Sequence, residues 1–204
     1  MLPVEKYFIG CYQDVHFWND QKYDWNFGIP EDWKDKPWCY VINSKCRFPE
    51  FYLKLMSDEK ELIDTAILHL DNAISRSRVK GNPFIFRGVF NLDWLENSNV
   101  GGIFEEKGFG SFSLDISRSY QYTDSENPII FQLELDDEME ALYIDGSERE
   151  VLRPRNVTYE IVDVVLEKIY FSKSISRMTI VYKIKEIKGH DKNRGLFLTI
   201  FKIF

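Results

Sequence analysis

The sequence predicts an α+β fold in which a helical N-terminal part precedes a mixed or antiparallel two-sheet core. Apolar residues recur at helical spacing up to about Ser75. From Pro83 onward, short runs rich in Phe, Ile, Val and Tyr alternate with turn residues. Helices first and strands later is the order of an α+β domain. The 204 residues fit one domain, or a small domain with an extension.

Residues 1–57 are interpreted as a helical, loop-rich N-terminal extension. They are dense in aromatic and turn residues, among them Trp18, Trp25, Trp33 and Trp38. Residues 58–204 then form the main domain, and we expect the two parts to pack as one compact unit.

One long helix is predicted at the junction of these two parts. Ser57 and Asp58 are candidate N-caps, and Glu61, three residues after Asp58, completes a capping box. The apolar repeat ends the helix near Ser75, and Gly81-Asn82-Pro83 leads into the next element.

The remaining elements are predicted to be strands with one short helix. Period-two alternation is clear in Phe131, Leu133 and Leu135 and indicates a half-buried strand. A short helix is predicted between Asp115 and Gln121. The predicted strands are 84–90, 109–114, 128–135, 141–144, 150–153, 157–170, 177–187 and 195–203.

Composition and charge argue against several kinds of binding partner, metal site and targeting segment. The net charge of -7 argues against non-specific binding to nucleic acid or to an acidic membrane. The three cysteines form no C-x-x-C pair, which suits a reducing compartment, and the three histidines are single, so no metal site is expected. There is no signal peptide and no run of about 18 apolar residues. We therefore expect a soluble protein, either cytoplasmic or delivered to a target cell by a signal-peptide-independent route.

The first of three motifs places Arg87 and Gly88 in an apolar strand. A charged side chain there needs a partner, and the planar guanidinium suits bidentate binding of phosphate. Gly88 permits close approach of a ligand to the backbone. The alternative is an arginine at a strand end, paired with a carboxylate of the core.

The second motif contains Ser111 and Ser113, which share one face of a predicted strand after Gly108-Phe109-Gly110. A ligand ribose or a catalytic carboxylate would satisfy such hydroxyls. The alternative is a hairpin turn whose hydroxyls bond to the backbone.

The third motif runs from Glu148 to Asn156. At strand spacing, Glu148 and Glu150 project from one face, where two carboxylates suit general-base catalysis and stabilisation of a cation. They also match glycosidic cleavage through an oxocarbenium-like state. The alternative is a solvated edge strand.

Taken together, these motifs resemble the R-S-E class of mono-ADP-ribosyltransferases, with its Glu-x-Glu motif. Gly108-Phe109-Gly110-Ser111-Phe112-Ser113 is similar to the family's Gly-Phe-x-Ser-Thr-Ser, and residues 148–156 follow Glu-x-Glu-Val-Leu-x-Pro-Arg-Gly except at Asn156. Asn tolerates the left-handed backbone well, so this departure is mild. Tyr40, Ile42, Asn43 and Arg47 resemble a helix that precedes the domain in toxin-like members. The resemblance covers residues 40–187.

The resemblance implies an enzyme that uses NAD as substrate and no metal. Arg87 would clamp the NAD pyrophosphate, with Gly88 against the ligand, while Ser111 and Ser113 belong to the NAD-binding set. Ser111 would position the nicotinamide ribose and orient Glu150, which would bind the ribose 2′-hydroxyl and stabilise the oxocarbenium ion. Glu148 would engage an acceptor arginine.

Two further segments receive a role through the resemblance. Residues 120–127 would close over nicotinamide, with Tyr120 and Tyr122 as candidate stacking residues, although a plain surface loop is an open alternative. Residues 141–147 would form a short acceptor-recognition loop, in which Tyr143 is the aromatic residue. Phe112 replaces the family's threonine beside Ser111.

The function predicted is transfer of ADP-ribose to an arginine of a target protein by a toxin or effector. The first alternative is an ADP-ribosyltransferase acting on nucleic acid, or an NAD glycohydrolase, and the basic residues Arg149, Arg153 and Arg155 keep it open. The second alternative is a catalytically silent scaffold of the same fold. A chaperone, an antitoxin or a carrier is a possible partner of the N-terminal part.

Overall fold

The computed structural model describes residues 1–13, 37–48, 50, 53, 57–144 and 149–188. The helices in these ranges are α1 (Pro3–Gln13), α2 (Trp38–Arg47), α3 (Ser57–Ser75) and α4 (Ile116–Ser119), and a 3-10 turn (Tyr120–Tyr122) follows α4. The strands are β1 (Phe84–Val89), β2 (Ile103–Glu106), β3 (Gly110–Ser113), β4 (Ile129–Glu134), β5 (Leu142–Ile144), β6 (Glu150–Arg153), β7 (Val157–Tyr170) and β8 (Ser176–Glu186). The predicted α+β class, with helices before strands, is confirmed. The predicted strand 195–203 lies outside the described residues.

Helix α3 ends at Ser75, as predicted, but it already includes Ser57 and Asp58, so it begins slightly earlier than a cap at either residue implies. Its apolar repeat forms a buried stripe of Ile63, Ala66, Ile67, Leu70, Ala73 and Ile74. The side chain of Asp58 lies outside the described set, so the capping box stays a prediction. Among the described helices, none is long and apolar enough to cross a membrane.

The strands form one sheet in the order β2-β7-β8-β4-β1-β3-β6-β5. Every neighbouring pair is antiparallel except β4 with β8, which is parallel. Strands β1 and β3 are joined at a single register position, Phe86 opposite Ser113. The predicted two-sheet core is therefore a five-stranded half and a three-stranded half that share this narrow connection.

Two hydrophobic cores lie against this sheet. In the first, helices α1, α2 and α3 pack on the three-stranded half through residues that include Phe8, Ile42, Leu70, Phe109 and Leu152. The second core is built mainly on the five-stranded half and includes Ile85, Phe131, Tyr159, Phe112 and Val151. Strand β6 is buried along its whole length because its neighbouring residues Val151 and Leu152 enter different cores. The N-terminal helices thus contact the strand that begins at Glu150, and the division at residue 57 stays a prediction.

The backbone confirms one expectation and corrects another. Asn156 has a φ of 60°, the left-handed conformation expected where the family motif has glycine. Arg149 has a φ of 48°, and β6 begins only at Glu150. The strand-spacing argument for Glu148 and Glu150 therefore does not hold at Arg149, where the backbone is not extended, and whether the two side chains share a face stays a prediction. Glu148 itself lies outside the described residues.

Candidate active site

A carboxylate and a hydroxyl meet across β6 and β3. Ser113 lies opposite Glu150 in the register and Ser111 opposite Leu152, so Ser111 is a diagonal neighbour of Glu150 on the same face. The Ser111 hydroxyl donates a hydrogen bond of 2.6 Å to Oε1 of Glu150, which is 6% exposed. The two residues that the motifs singled out on separate strands are therefore in direct contact.

A third group reaches the same carboxylate from the N-terminal helix. Gln13, the last residue of α1, donates from Nε2 to Oε2 of Glu150 at 3.0 Å. The two residues are 137 positions apart in the chain. No motif marked Gln13, since a glutamine at the end of a helix carries no local sign of function.

Beside this group lies a second charged cluster, in which Glu106 accepts from two arginines. Nη1 of Arg87 donates to its Oε2 at 2.7 Å, and Nε and Nη2 of Arg47 both donate to its Oε1 at 3.0 Å. The backbone N–H of Gly108 adds a bond of 3.0 Å to Oε1. This agrees with the alternative that paired Arg87 with a core carboxylate, and it brings Arg47 of α2 to the same place.

The ionisation of Glu106 follows from these contacts. Burial by itself raises the pKa of this carboxyl, but the charges of Arg87 and Arg47 and their hydrogen bonds outweigh it and hold the pKa below its ordinary value. Glu106 is 6% exposed. A buried ionised carboxylate thus fixes two guanidinium groups that approach from different elements.

Tyr12 and Asn43 lie between the two clusters. Nδ2 of Asn43 donates to the Tyr12 hydroxyl at 2.9 Å, and Oδ1 of Asn43 accepts from the backbone N–H of Phe109 at 2.8 Å. Burial raises the pKa of Tyr12, the negative charge of Glu150 raises it further, and the positive charge of Arg87 lowers it. Tyr12 precedes Gln13, which reaches Glu150, and Phe109 follows Gly108, whose N–H reaches Glu106, so the Tyr12–Asn43 pair links the two clusters.

Gly88 is required by close packing within the fold, which the sequence motif did not indicate. A Cβ at this position would lie 2.0 Å from the backbone carbonyl oxygen of Ser119 and 2.8 Å from Cγ2 of Thr123. The Ser119 hydroxyl also donates to the Phe86 carbonyl oxygen at 2.9 Å. Close packing of α4 against β1 accounts for the glycine, and its contact with a ligand stays a prediction.

Two other hydroxyl residues of the predicted site, Ser113 and Tyr120, contact nearby parts of the fold. Oγ of Ser113 accepts from the backbone N–H of Asp115 at 3.0 Å, which is the backbone alternative for this serine. Tyr120 stacks on Phe171 with ring centroids 4.2 Å apart, and its hydroxyl donates to the Ser125 carbonyl at 3.2 Å. Tyr122 is exposed. Stacking of Tyr120 and Tyr122 on nicotinamide stays a prediction.

Tyr143 lies in β5, opposite Val151, and is 39% exposed. Pairing with β6 agrees with the predicted strand 141–144 and corrects the expectation of a loop for this part of 141–147. Its role toward an acceptor stays a prediction, and residues 145–148 lie outside the described ranges.

The basic residues near β6 do not form an exposed basic cluster. Arg153 is fully buried, where it donates to the Glu140 carbonyl oxygen and to the Glu186 carboxylate. Arg155 binds Asp71 of α3, with its Nε 3.0 Å from Oδ2. Of the three arginines, Arg149 alone is exposed. Arg153 and Arg155 are each paired with a carboxylate of the same chain, so these two side chains offer little support for a nucleic-acid acceptor. In the described part of the chain, no three His, Cys, Asp or Glu side chains are grouped as metal ligands would be.

The chain matches the model of a known protein family. The model of the ADP-ribosyltransferase exoenzyme family matches residues 52–192, which is more than half of the chain. The chain belongs to the ADP-ribosyltransferase exoenzyme family. The matched range contains Arg87, Ser111 and Glu150, and α1 and α2 lie before it. No curated protein sequence matches this chain.

Solved structures of bacterial toxins and exoenzymes share its fold. C3larvin from Paenibacillus larvae has a TM-score of 0.55 and 19% identity over 92% of this chain and 88% of C3larvin. The C3 exoenzyme of Clostridium limosum has a TM-score of 0.52 and 20% identity over 74% of this chain and 80% of its own. C2-I, the enzymatic component of the C2 toxin of Clostridium botulinum, has a TM-score of 0.56 and 18% identity over 73% of this chain. The present chain spans only 40% of the C2-I chain.

Proposed function

We propose that this ADP-ribosyltransferase uses NAD to transfer one ADP-ribose to an arginine of a target protein, as a toxin or effector. The observation that carries the proposal is the buried Glu150 carboxylate held by the Ser111 hydroxyl at 2.6 Å. An oriented carboxylate in a water-poor site is suited to stabilising positive charge that develops on a sugar ring.

The residues present fit NAD as the ADP-ribose donor. A diphosphate needs cationic donors with planar geometry, and Arg47 and Arg87 supply two guanidinium groups that meet at one carboxylate. Arg87 gives one of its five N–H groups to Glu106, and its side chain is 24% exposed. We assign the pyrophosphate to this pair: Arg87 has the role that the motif predicts, and Arg47 is included because it binds the same carboxylate.

NAD supplies the bond to be broken, between nicotinamide and ribose. Glu150 accepts a hydrogen bond from the ribose 2′-hydroxyl and places its negative charge beside the carbon where positive charge develops. Ser111 holds Oε1 so that Glu150 need not reorient during the reaction. Burial strengthens this interaction because the effective dielectric constant is lower than in water.

The choice of arginine as acceptor rests on Glu148, as the motif resemblance implies. In this role Glu148 binds the acceptor guanidinium and helps remove its proton. The net charge of -7 and the internal pairing of Arg153 and Arg155 favour a protein acceptor over nucleic acid. A carrier or chaperone that binds the N-terminal part is a further prediction.

The test is incubation of the purified chain with labelled NAD and a cell lysate. Native protein is compared with Glu150→Ala, Glu148→Gln and the control Glu167→Ala, which changes an exposed carboxylate of β7. We expect native protein and the control to label proteins. Glu150→Ala abolishes labelling, and Glu148→Gln loses transfer but retains some NAD hydrolysis. The label should be released by neutral hydroxylamine slowly, as from a guanidine N-glycoside, and not rapidly, as from an ester.

Other outcomes point to the alternative functions. Label on nucleic acid, or NAD consumption with no labelled product, would replace the protein-arginine acceptor by nucleic acid or water. No NAD consumption by native protein under any of these conditions would refute the proposal and favour a scaffold role.

A further inference from the structure

The contact between α1 and Glu150 has no counterpart in the sequence motifs. Gln13 places a neutral N–H donor 3.0 Å from Oε2, while Ser111 donates to Oε1 at 2.6 Å. Each carboxylate oxygen of Glu150 therefore accepts from a different element, one from α1 and the other from β3.

We propose that Gln13 is a positioning residue for Glu150 and that its amide is required for the rate of NAD cleavage. This inference rests on the proposed function, in which Glu150 stabilises the transition state. Gln13 acts through Glu150, whose carboxylate plane it fixes.

The geometry explains why one donor is insufficient. The terminal torsion of a glutamate side chain has a broad, roughly two-fold energy profile. Rotation about that torsion moves both oxygens, and the hydrogen bond at Oε1 resists it only within the broad range of angles that a carboxylate acceptor tolerates. A second donor at Oε2 defines the plane, and each oxygen still keeps lone-pair capacity for the ribose hydroxyl.

The neutral character of Gln13 is also suited to this task. Lysine or arginine at this point would neutralise Glu150, which must keep its negative charge for the developing cation. An amide donates a hydrogen bond and leaves the charge in place. Glutamine is therefore suited to orienting the carboxylate without neutralising it.

Helix α1 holds this amide in place. Phe8, Ile9, Cys11 and Tyr12 are buried in the first core, and the Glu5 carboxylate is paired with Arg76 after α3. Gln13 itself is exposed, so a substitution there leaves the packing of α1 intact. Its loss is expected to change the site and not the fold.

The experiment measures steady-state NAD cleavage by the full chain. Gln13→Glu keeps the size of the side chain and replaces the donor by an acceptor, Gln13→Lys keeps a donor, and Lys6→Ala is the control on the same helix. We expect Gln13→Glu to lower kcat about tenfold with KM changed less than about threefold, the pattern of an interaction made in the transition state. Gln13→Lys keeps a donor but pairs its positive charge with Glu150, so it should also lower kcat, while Lys6→Ala should match native protein.

A pH profile adds a readout that a merely structural role would not move. In Gln13→Glu, two carboxylates face each other and share protons, so the acid limb of kcat should move to higher pH. Lys6→Ala should keep the native profile. Melting temperatures of all variants should agree within a few degrees of native, since position 13 is exposed.

The outcomes separate this inference from the proposed function. If native protein cleaves NAD, Glu150→Ala does not, and Gln13→Glu retains native kcat and the native pH profile, the role of Gln13 is refuted and the proposed function stands. If native protein cleaves no NAD, the proposed function is refuted and the role of Gln13 is refuted with it.

Discussion

Replacing Glu106 with glutamine is a direct test of how this site binds phosphate. The change keeps the shape of the side chain and removes its charge. Glu106 accepts four hydrogen bonds, from Arg87, from two nitrogens of Arg47 and from the N–H of Gly108. The matched control is Glu105→Gln, one residue earlier in β2 and exposed to solvent.

The magnitude follows from what glutamine can still accept. Its amide oxygen can replace Oε1 toward Arg47 and Gly108, but its NH2 group then meets Nη1 of Arg87, where two donors face each other. Loss of one charge-assisted hydrogen bond costs about 1.5–3 kcal/mol, and the smaller cost of burying a neutral group offsets part of it. The arginine side chains are 24% and 33% exposed, so water relieves some of the remaining repulsion. We expect a net loss of about 2 kcal/mol in the free energy of unfolding.

Urea denaturation and NAD kinetics measure the two consequences. Glu106→Gln should lower the urea midpoint without changing the slope, while Glu105→Gln stays within about 0.5 kcal/mol of native. Because Arg87 loses its acceptor and Arg47 keeps only a neutral one, the two guanidinium groups are held less firmly, and KM for NAD should rise about tenfold with a smaller change in kcat.

The free energy of unfolding at low pH should also depend on the Glu106 carboxylate. The ordinary pKa of Glu106 is 4.5; burial raises it, but Arg87 and Arg47 hold it lower in the folded protein. Its contribution to stability is therefore fully present above that ordinary value and is lost as pH falls through the folded value. Native protein should lose stability below pH 4.5 more steeply than Glu106→Gln. Equal urea midpoints and equal KM values for native protein and both variants would refute the role of Glu106.

The remaining predictions concern Gly88, which the motif placed against a ligand, and Arg153, which was counted in favour of a nucleic-acid acceptor. Gly88→Ala should destabilise the fold by more than about 2 kcal/mol in urea denaturation, because its Cβ would lie 2.0 Å from a backbone oxygen of Ser119. A stability equal to native would show that this approach is relieved cheaply. Arg153→Ala should cost about 3 kcal/mol, because it leaves a cavity and separates Glu186 from its buried partner. A loss below about 0.5 kcal/mol would contradict the buried ion pair.

Local patterns predicted most of the elements that carry the site. The limits of α3 follow from its apolar repeat and the turn after it, and β6 and β7 have the predicted bounds. The left-handed backbone at Asn156 was also predictable, since residue type restricts φ. Each of these depends on interactions between residues close together in the chain.

Strand β2 was not predicted from the sequence, and the burial of Glu106 explains the omission. Its sequence, Ile-Phe-Glu-Glu, is short, and two adjacent glutamates indicate a solvated surface. Glu106 is buried only because Arg47 and Arg87 arrive from α2 and β1 to neutralise it. Such compensation depends on distant residues and leaves no pattern within the strand itself.

By itself the sequence determined the α+β class, the order of the elements and the Arg87, Ser111 and Glu150 motifs. Tertiary structure decided how these residues are used: Gln13 meets Glu150 across 137 positions, and one carboxylate joins Arg47 to Arg87. Residue type and spacing encode local conformation, whereas the partner of a buried charge is chosen by packing between elements distant in sequence.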